Sequence, residues 1–156
     1  MAVTHARMAM HLHRPGAGAK VGGIGVVVLA AATWAQAQSN WFTVAGNPVD
    51  AAADTVQVDP VPVLRERDAR VMYVRVSRAT PRRNWEGVRY RSYESEVHFD
   101  CRTRRAHYRQ ARFYDEPLWR GDAYTRTDYT DDPKPMLFLD MAPNPTQRIV
   151  RAACGT

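Results

Sequence analysis

The chain has 156 residues, 22 basic and 16 acidic side chains, a formal net charge of +6 and two cysteines. This length is typical of one domain and is sufficient to bury a hydrophobic core, which excludes a fold that depends on bound metal. No internal repeat or low-complexity stretch is visible, which excludes a solenoid.

Residues 1–37 have the three-part layout of a secretory signal peptide. We expect cleavage between Ala37 and Gln38, which leaves a single domain over residues 38–156. The apolar run is too short for a membrane span, so we expect an exported chain with no transmembrane segment, in the periplasm or at the cell surface. The basic start holds Arg7, Arg14 and Lys20, and the uncharged apolar run covers residues 21–32. The two small residues before the cleavage site are Ala35 and Ala37.

Both cysteines, Cys101 and Cys154, lie in the part of the chain that we expect to be exported. An even number of cysteines outside the cytoplasm predicts a disulfide. Such a bridge would stabilise the fold by about 4 kcal/mol in the chain-entropy description. No cysteine stands at the predicted cleavage site, so we expect no lipid anchor.

The rest of the chain has the pattern of short strands separated by turns. Alternation is clearest over residues 92–101, where every second side chain is apolar or small and the others are polar, as a half-buried antiparallel strand requires. Thr80-Pro81 is expected to end the strand before it. The predicted strands are residues 41–44, 54–58, 70–78, 92–101 and 103–114.

The last third of the chain predicts a loop, an apolar segment and a helix. Residues 115–135 indicate a long surface loop with room for a short turn of helix, and residues 136–141 a buried strand or a core-packed loop. A helix is predicted over residues 145–154, with Asn144 as its cap and Gly155 as its end. These elements predict an α+β domain, a small antiparallel sheet with a C-terminal helix that one disulfide ties to a central strand.

This arrangement resembles the surface-adhesin protein E family. The resemblance rests on the strand Arg91–Cys101 with its Asp-Cys end, the basic residues that follow, a tryptophan near the mature start and the closing cysteine, and it covers Trp41 to Cys154. It implies a compact β-sheet domain with one helix and one disulfide. It further implies binding to extracellular-matrix and plasma proteins of a host, and a tendency to form homodimers.

Candidate catalytic residues do not form a complete set. His98 and Asp100 offer two ligands where zinc needs three or four. Glu94 and Glu96 would hold their carboxyl groups roughly 6–7 Å apart, which fits neither glycosidase spacing well. We therefore predict a protein that is not an enzyme and that uses no cofactor and no metal. The large aromatic residues Trp85 and Trp119 are expected in or beside the core.

The middle third of the chain is the basic part, because residues 65–112 hold 14 arginines and six acidic residues. A planar guanidinium group suits carboxylate, sulfate or phosphate. If the arginines of the predicted hairpin converge, they would attract proteins or acidic glycans outside the cell, and export argues against nucleic acid. The alternative is cross-strand pairing with nearby carboxylates, or plain solvation. The candidate binding residues are Arg102, Arg104, Arg105, Arg109 and Arg112.

We therefore predict an exported, non-enzymatic, adhesin-like binding domain that engages acidic or extracellular-matrix-type partners through an arginine-rich face. Two alternatives remain open. One is an accessory or structural protein of the periplasm with no host ligand. The other is a small hydrolase that uses His98 or the glutamate pair.

Overall fold

A computed structural model describes residues 40–155, so the predicted signal peptide and the cleavage site between Ala37 and Gln38 lie outside the described residues. The described residues form eight β-strands and one α-helix. They are β1 (Phe42–Ala45), β2 (Thr55–Val58), β3 (Leu64–Arg65), β4 (Ala69–Arg83), β5 (Arg89–Asp100), β6 (Arg105–Tyr114), β7 (Thr125–Asp128), β8 (Lys134–Pro135) and α1 (Thr146–Cys154).

All eight strands belong to one sheet with antiparallel pairing. The order is β1-β2-β4-β5-β6-β7, while β3 pairs with the start of β4 and β8 with the start of β6. The long strands β4, β5 and β6 therefore form the centre of the sheet, and consecutive central strands are joined as hairpins.

The alternation of buried and half-buried side chains along β5 shows which face of the sheet packs against the core. Val97 and Phe99 are fully buried, while Glu94 and Glu96 on the opposite face are only half-buried. Successive side chains of a strand point to opposite faces, so this alternation gives one core face and one solvated face. The structure confirms the antiparallel, half-buried strand predicted over this segment.

Two boundary predictions are wrong. The strand predicted to end at Thr80-Pro81 continues to Arg83, because the pairing of β4 with β5 is irregular between Ser77 and Arg82. A proline, which lacks an N–H, is tolerated where the ladder is interrupted in this way. Residues 115–135 contain a short helical turn, a 3-10 turn at Pro117–Trp119, but they also contain the strands β7 and β8, which the prediction of a surface loop missed.

The helix α1 packs its buried residues Ile149 and Val150 against β4 and β5. Asn144 Oδ1 accepts a hydrogen bond of 2.9 Å from the Thr146 N–H, and Gly155 follows the helix with a positive φ of 73°. The fold class needs correction. A nine-residue helix beside an eight-stranded sheet makes the architecture mainly β rather than α+β.

Cys101 and Cys154 form the predicted disulfide, with Cα atoms 5.3 Å apart. Cys101 directly follows the central strand β5, and Cys154 is the last residue of α1. The bridge therefore ties the carboxyl end of the chain to the centre of the sheet, as the sequence predicted. No helix within residues 40–155 has both the length and the apolar character to cross a membrane.

Candidate functional site

Two of the five candidate arginines are held in cross-strand ion pairs. Arg112 Nη2 lies 3.0 Å from Glu94 Oε2, and Arg109 Nη1 lies 2.8 Å from Glu96 Oε1. Arg112 and Glu94 are direct register partners on β6 and β5, which is the geometry that favours such pairs. The charges of these two arginines are therefore compensated on the solvated face of the sheet.

The other three candidates, Arg102, Arg104 and Arg105, lie at the β5–β6 turn, and we call them the hairpin-end arginines. All three are exposed, and within residues 40–155 none of them lies within ion-pair distance of a carboxylate. Arg104 has a positive φ of 58° and donates a hydrogen bond of 3.1 Å to the Gly155 carbonyl. Three exposed guanidinium groups without an ion-pair contact thus lie at one end of the central hairpin.

Asp100 holds the backbone of this turn. Its Oδ1 accepts hydrogen bonds of 2.9 Å from the N–H groups of Arg102 and Thr103. Hydrogen bonds from the backbone and hydroxyl of Thr103, with a smaller contribution from Arg102, lower the pKa of the Asp100 carboxyl. The carboxylate is therefore committed to holding the backbone of the turn.

The two glutamates considered for catalysis are held in other interactions. Glu94 Oε2 accepts hydrogen bonds of 3.0 Å from both Arg112 and the Tyr114 hydroxyl. Glu96 accepts from Gln110 Nε2 at 3.0 Å, in addition to its ion pair. In the part of the chain that the structure describes, no three His, Cys, Asp or Glu side chains come close enough to hold a metal ion. These contacts give both glutamates a structural role in joining β5 to β6.

A pocket of about 280 Å³ lies on the core face of the sheet, between the strands and the segments around residues 84 and 138, and we call it the aromatic pocket. Trp85 is 57% exposed at this pocket, and Leu137 is 53% exposed. Leu137 belongs to the segment 136–141, which is a core-packed loop, with Met136 and Phe138 buried. The rings that line the pocket are Trp85, Tyr90, Tyr93, Tyr108, Phe113 and Tyr129.

These six rings form one continuous set of edge and tilted contacts. Tyr93 lies 5.4 Å from Tyr90 and 5.9 Å from Tyr108, and Trp85 lies 5.9 Å from Tyr108 and 6.1 Å from Tyr129, measured between ring centroids. Such geometries stabilise aromatic clusters beyond simple burial. The six rings therefore hold one another in place, and the pocket has preformed walls.

The floor of the aromatic pocket carries two neutral hydroxyl groups. The hydroxyl oxygens of Tyr93 and Tyr108 are 2.7 Å apart, and both residues are buried. Burial is the largest cause that raises the pKa of each hydroxyl above the usual value of 10.0. Both groups consequently stay protonated at physiological pH, and since one hydrogen lies between the two oxygens, one hydrogen of the pair remains to be donated.

A buried arginine stands beside the pocket. The Arg78 side chain is only 3% exposed, forms an ion pair with Asp140 and lies 3.6 Å from Asp54 Oδ2. Arg82 Nε also lies 3.3 Å from the Asp140 carboxylate. The exposed Arg83 donates a hydrogen bond of 2.6 Å to the Gly87 carbonyl. Arg78, Arg83 and Asp140 therefore line this pocket, and the Asp140 carboxylate pairs with both Arg78 and Arg82.

Sequence reasoning did not find the aromatic pocket. Trp85 was expected in or beside the core, yet it is largely exposed, whereas Trp119 is half-buried. The pocket residues come from segments between positions 78 and 140 that the fold brings together. The sequence feature that pointed to these residues was the interleaving of Tyr90, Tyr93 and Tyr108 with arginines. That pattern does not indicate that the tyrosines enclose a pocket.

Comparison with known proteins adds a family assignment. The family model described as surface-adhesin protein E matches residues 41–155. No curated protein and no solved structure matches the chain. The matched range spans every strand of the sheet, the helix and both cysteines.

Proposed function

The chain belongs to the surface-adhesin protein E family, and from this membership we propose that it is an exported, non-enzymatic binding domain whose hairpin-end arginines engage acidic partners. The family description implies an adhesin-like binding role at the cell surface. Residues 1–37 are proposed to direct export as a signal peptide and to be removed by cleavage between Ala37 and Gln38.

One observation carries the choice of binding surface. Arg102, Arg104 and Arg105 are exposed and without carboxylate partners within the described residues, whereas Arg109 and Arg112 are paired with glutamates. Uncompensated like charges clustered on a protruding turn attract anions over several ångströms and raise association rates. A guanidinium group can also bind carboxylate or sulfate through two parallel hydrogen bonds. Acidic proteins and sulfated glycans share this chemistry.

Heparin affinity chromatography tests the surface. We expect the purified protein to be retained and to elute with salt, because exposed charges are screened as ionic strength rises. The triple variant Arg102→Ala, Arg104→Ala, Arg105→Ala should elute at clearly lower salt. The matched control is Arg89→Ala, Arg120→Ala, Arg126→Ala, which removes the same charge from exposed positions away from the turn.

The comparison of the two triple variants decides the outcome. If both shift elution equally, retention follows net charge and the hairpin end is not a site. Export is tested separately by the intact mass of protein recovered from cell fractions, which should correspond to a chain beginning at Gln38. A protein that keeps residues 1–37 and stays in the cytoplasm would contradict the proposal.

A further inference from the structure

We propose that the aromatic pocket is a ligand site for a single aromatic ring that carries a hydrogen-bond-accepting oxygen, such as a phenol. This site is distinct from the hairpin-end arginines, since none of them lines the pocket. The shared chemistry is found both in free small phenols and in the tyrosine side chain of a protein partner.

The size of the pocket limits the ligand. Its volume of about 280 Å³ lies at the lower end of the range for small-molecule sites. The side chains of Trp85 and Leu137 are both more than half exposed although they line the pocket. Exposed apolar surface of this kind beside a preformed cavity is typical of a ligand-binding site, because a bound ligand covers that surface. One ring fits the space, and an extended chain does not.

The walls favour a flat ring that carries a polar group. Six aromatic side chains line the pocket together with the polar residues Arg83, Asn84 and Asp140. Another aromatic ring packs against such side chains at about 4.5–7 Å, by the same geometry that the six rings use among themselves. A sugar ring also stacks on aromatic residues, and its several hydroxyl groups would need partners such as Asn84 and Asp140. The Tyr129 hydroxyl is already engaged, since it donates to Glu86 and accepts from Asn84. A sugar is therefore the competing ligand that the titration below compares with a phenol.

The charges around the pocket disfavour a cation. Two arginines, Arg78 and Arg83, line the pocket against one carboxylate, that of Asp140, which is itself paired with Arg78. The positive charge of Arg78 also reaches the hydroxyls of Tyr93 and Tyr108. An aromatic cage that binds a quaternary ammonium ion relies on the negative faces of the rings without such opposing charge. An electron-rich ligand is favoured instead.

The hydroxyl pair on the floor supplies the specific contact. Two hydroxyl groups 2.7 Å apart use one hydrogen between them. The second hydrogen finds no acceptor among residues 40–155 other than the partner hydroxyl. A buried donor without an acceptor is costly, so a ligand oxygen at this position is favourable. This requirement separates a phenol from a plain hydrocarbon ring.

Isothermal titration with p-cresol and toluene tests this inference on the purified protein. The two probes have the same ring and methyl group and differ only in the hydroxyl. We expect p-cresol to bind about three- to tenfold more tightly than toluene, which is the effect of one net hydrogen bond. No detectable binding of p-cresol, equal affinity for the two probes, or tighter binding of methyl glucoside or tetramethylammonium would overturn the proposal.

Variants locate the site. Trp85→Ala should weaken p-cresol binding, whereas Leu139→Ala, at a residue that is 81% exposed and does not line the pocket, should leave it unchanged. Because either tyrosine alone can still donate to the ligand, the single variants Tyr93→Phe and Tyr108→Phe should keep the preference for p-cresol. The double variant should lose that preference and keep its affinity for toluene.

The matched control for the double variant is Tyr73→Phe, Tyr124→Phe, which removes two exposed hydroxyls outside the pocket. Circular dichroism verifies that each variant is folded, and retention of toluene binding does so for the pocket itself. A double variant that still prefers p-cresol would show that the hydroxyl pair makes no contact with the ligand and would contradict the proposal.

N-acetyltyrosinamide distinguishes the two sources of the phenol group. Binding comparable to p-cresol favours a tyrosine of a partner, and binding of free p-cresol alone favours a small phenol.

Discussion

The guanidinium carbon of Arg75 lies 3.9 Å from the centroid of the Trp119 ring, and the same carbon lies 4.2 Å from the centroid of the Trp41 ring. Its Nε donates a hydrogen bond of 2.8 Å to Gln57 Oε1. Trp41 immediately precedes β1, and Trp119 ends the 3-10 turn after β6. One side chain of β4 therefore joins two distant segments of the chain to the solvated face of the sheet.

Arg75→Ala should lower the free energy of unfolding by about 1–3 kcal/mol, because it removes two cation–π contacts and a hydrogen bond from a half-buried position. Arg75→Lys should recover part of this loss, since an ammonium group keeps the charge but cannot stack as a planar group. Urea unfolding measures both changes. The exposed Arg120→Ala is the control and should change stability by less than about 0.5 kcal/mol. Equal stability of the Arg75→Ala and Arg120→Ala variants would refute this role.

We expect the disulfide to stabilise this fold more than any other single covalent feature does. Cys101 and Cys154 are separated by 53 positions, so replacing both with serine should cost roughly 4 kcal/mol by the loop-closure argument. Unfolding in urea with and without a phosphine reductant measures the effect. The reductant should destabilise the natural protein and leave the double serine variant unchanged, which serves as the control for side effects of the reagent.

The sheet could be predicted where local pattern and burial agree. On β5 every second side chain enters the core, so the alternation of Val97 and Phe99 with Glu94 and Glu96 identified both the strand and its dry face. The continuation of β4 past Pro81 could not be predicted. The interruption of the ladder that accommodates this proline depends on the partner strand, not on the residues next to it.

The candidate sites were predictable only in part. Pairing of Arg112 with Glu94 follows from register, which the hairpin pattern suggested, whereas Arg109 lies at the irregularity in the β5–β6 pairing, which no local pattern indicates. The exposure of Arg102 without an ion-pair contact depends on Asp100 binding the backbone of the turn. The aromatic pocket depends on tertiary packing throughout. Trp85 contacts the rings of Tyr108 and Tyr129, which are distant in sequence, so no local spacing encodes the cavity.

The buried tyrosines predict a loss of stability in alkali. Burial, together with the hydrogen bond to Glu86, raises the pKa of Tyr129 to about 12 from a usual value of 10.0. The unfolded chain therefore loses this proton first, and it binds fewer protons than the folded chain above about pH 10. Stability should consequently be complete below that pH and decline as the pH rises toward the folded-state value.

Near-ultraviolet absorbance of tyrosinate and urea unfolding at rising pH measure this behaviour together. Tyr93 and Tyr108, whose pKa values burial also raises, should ionise only as the protein unfolds. Tyr129→Phe should show a shallower decline of stability with pH than the natural protein. Complete ionisation of all tyrosines near pH 10 with the fold intact would contradict the burial of these hydroxyls.

The ion pair between Arg78 and Asp140 should respond unequally to the loss of its two members. The Arg78 side chain is 3% exposed and that of Asp140 is 56% exposed. Asp140→Ala leaves a buried guanidinium group with Asp54 as its remaining carboxylate, 3.6 Å away, and should cost about 3 kcal/mol. Arg78→Met leaves carboxylates that reach water, so it should cost less than about 1.5 kcal/mol.

Urea unfolding measures the stability of both variants. The control is Asp115→Ala, which removes the exposed pair with Arg89 and should change stability by less than about 1 kcal/mol. A greater loss for Arg78→Met than for Asp140→Ala would mean that packing of the arginine, and not its uncompensated charge, dominates at this position.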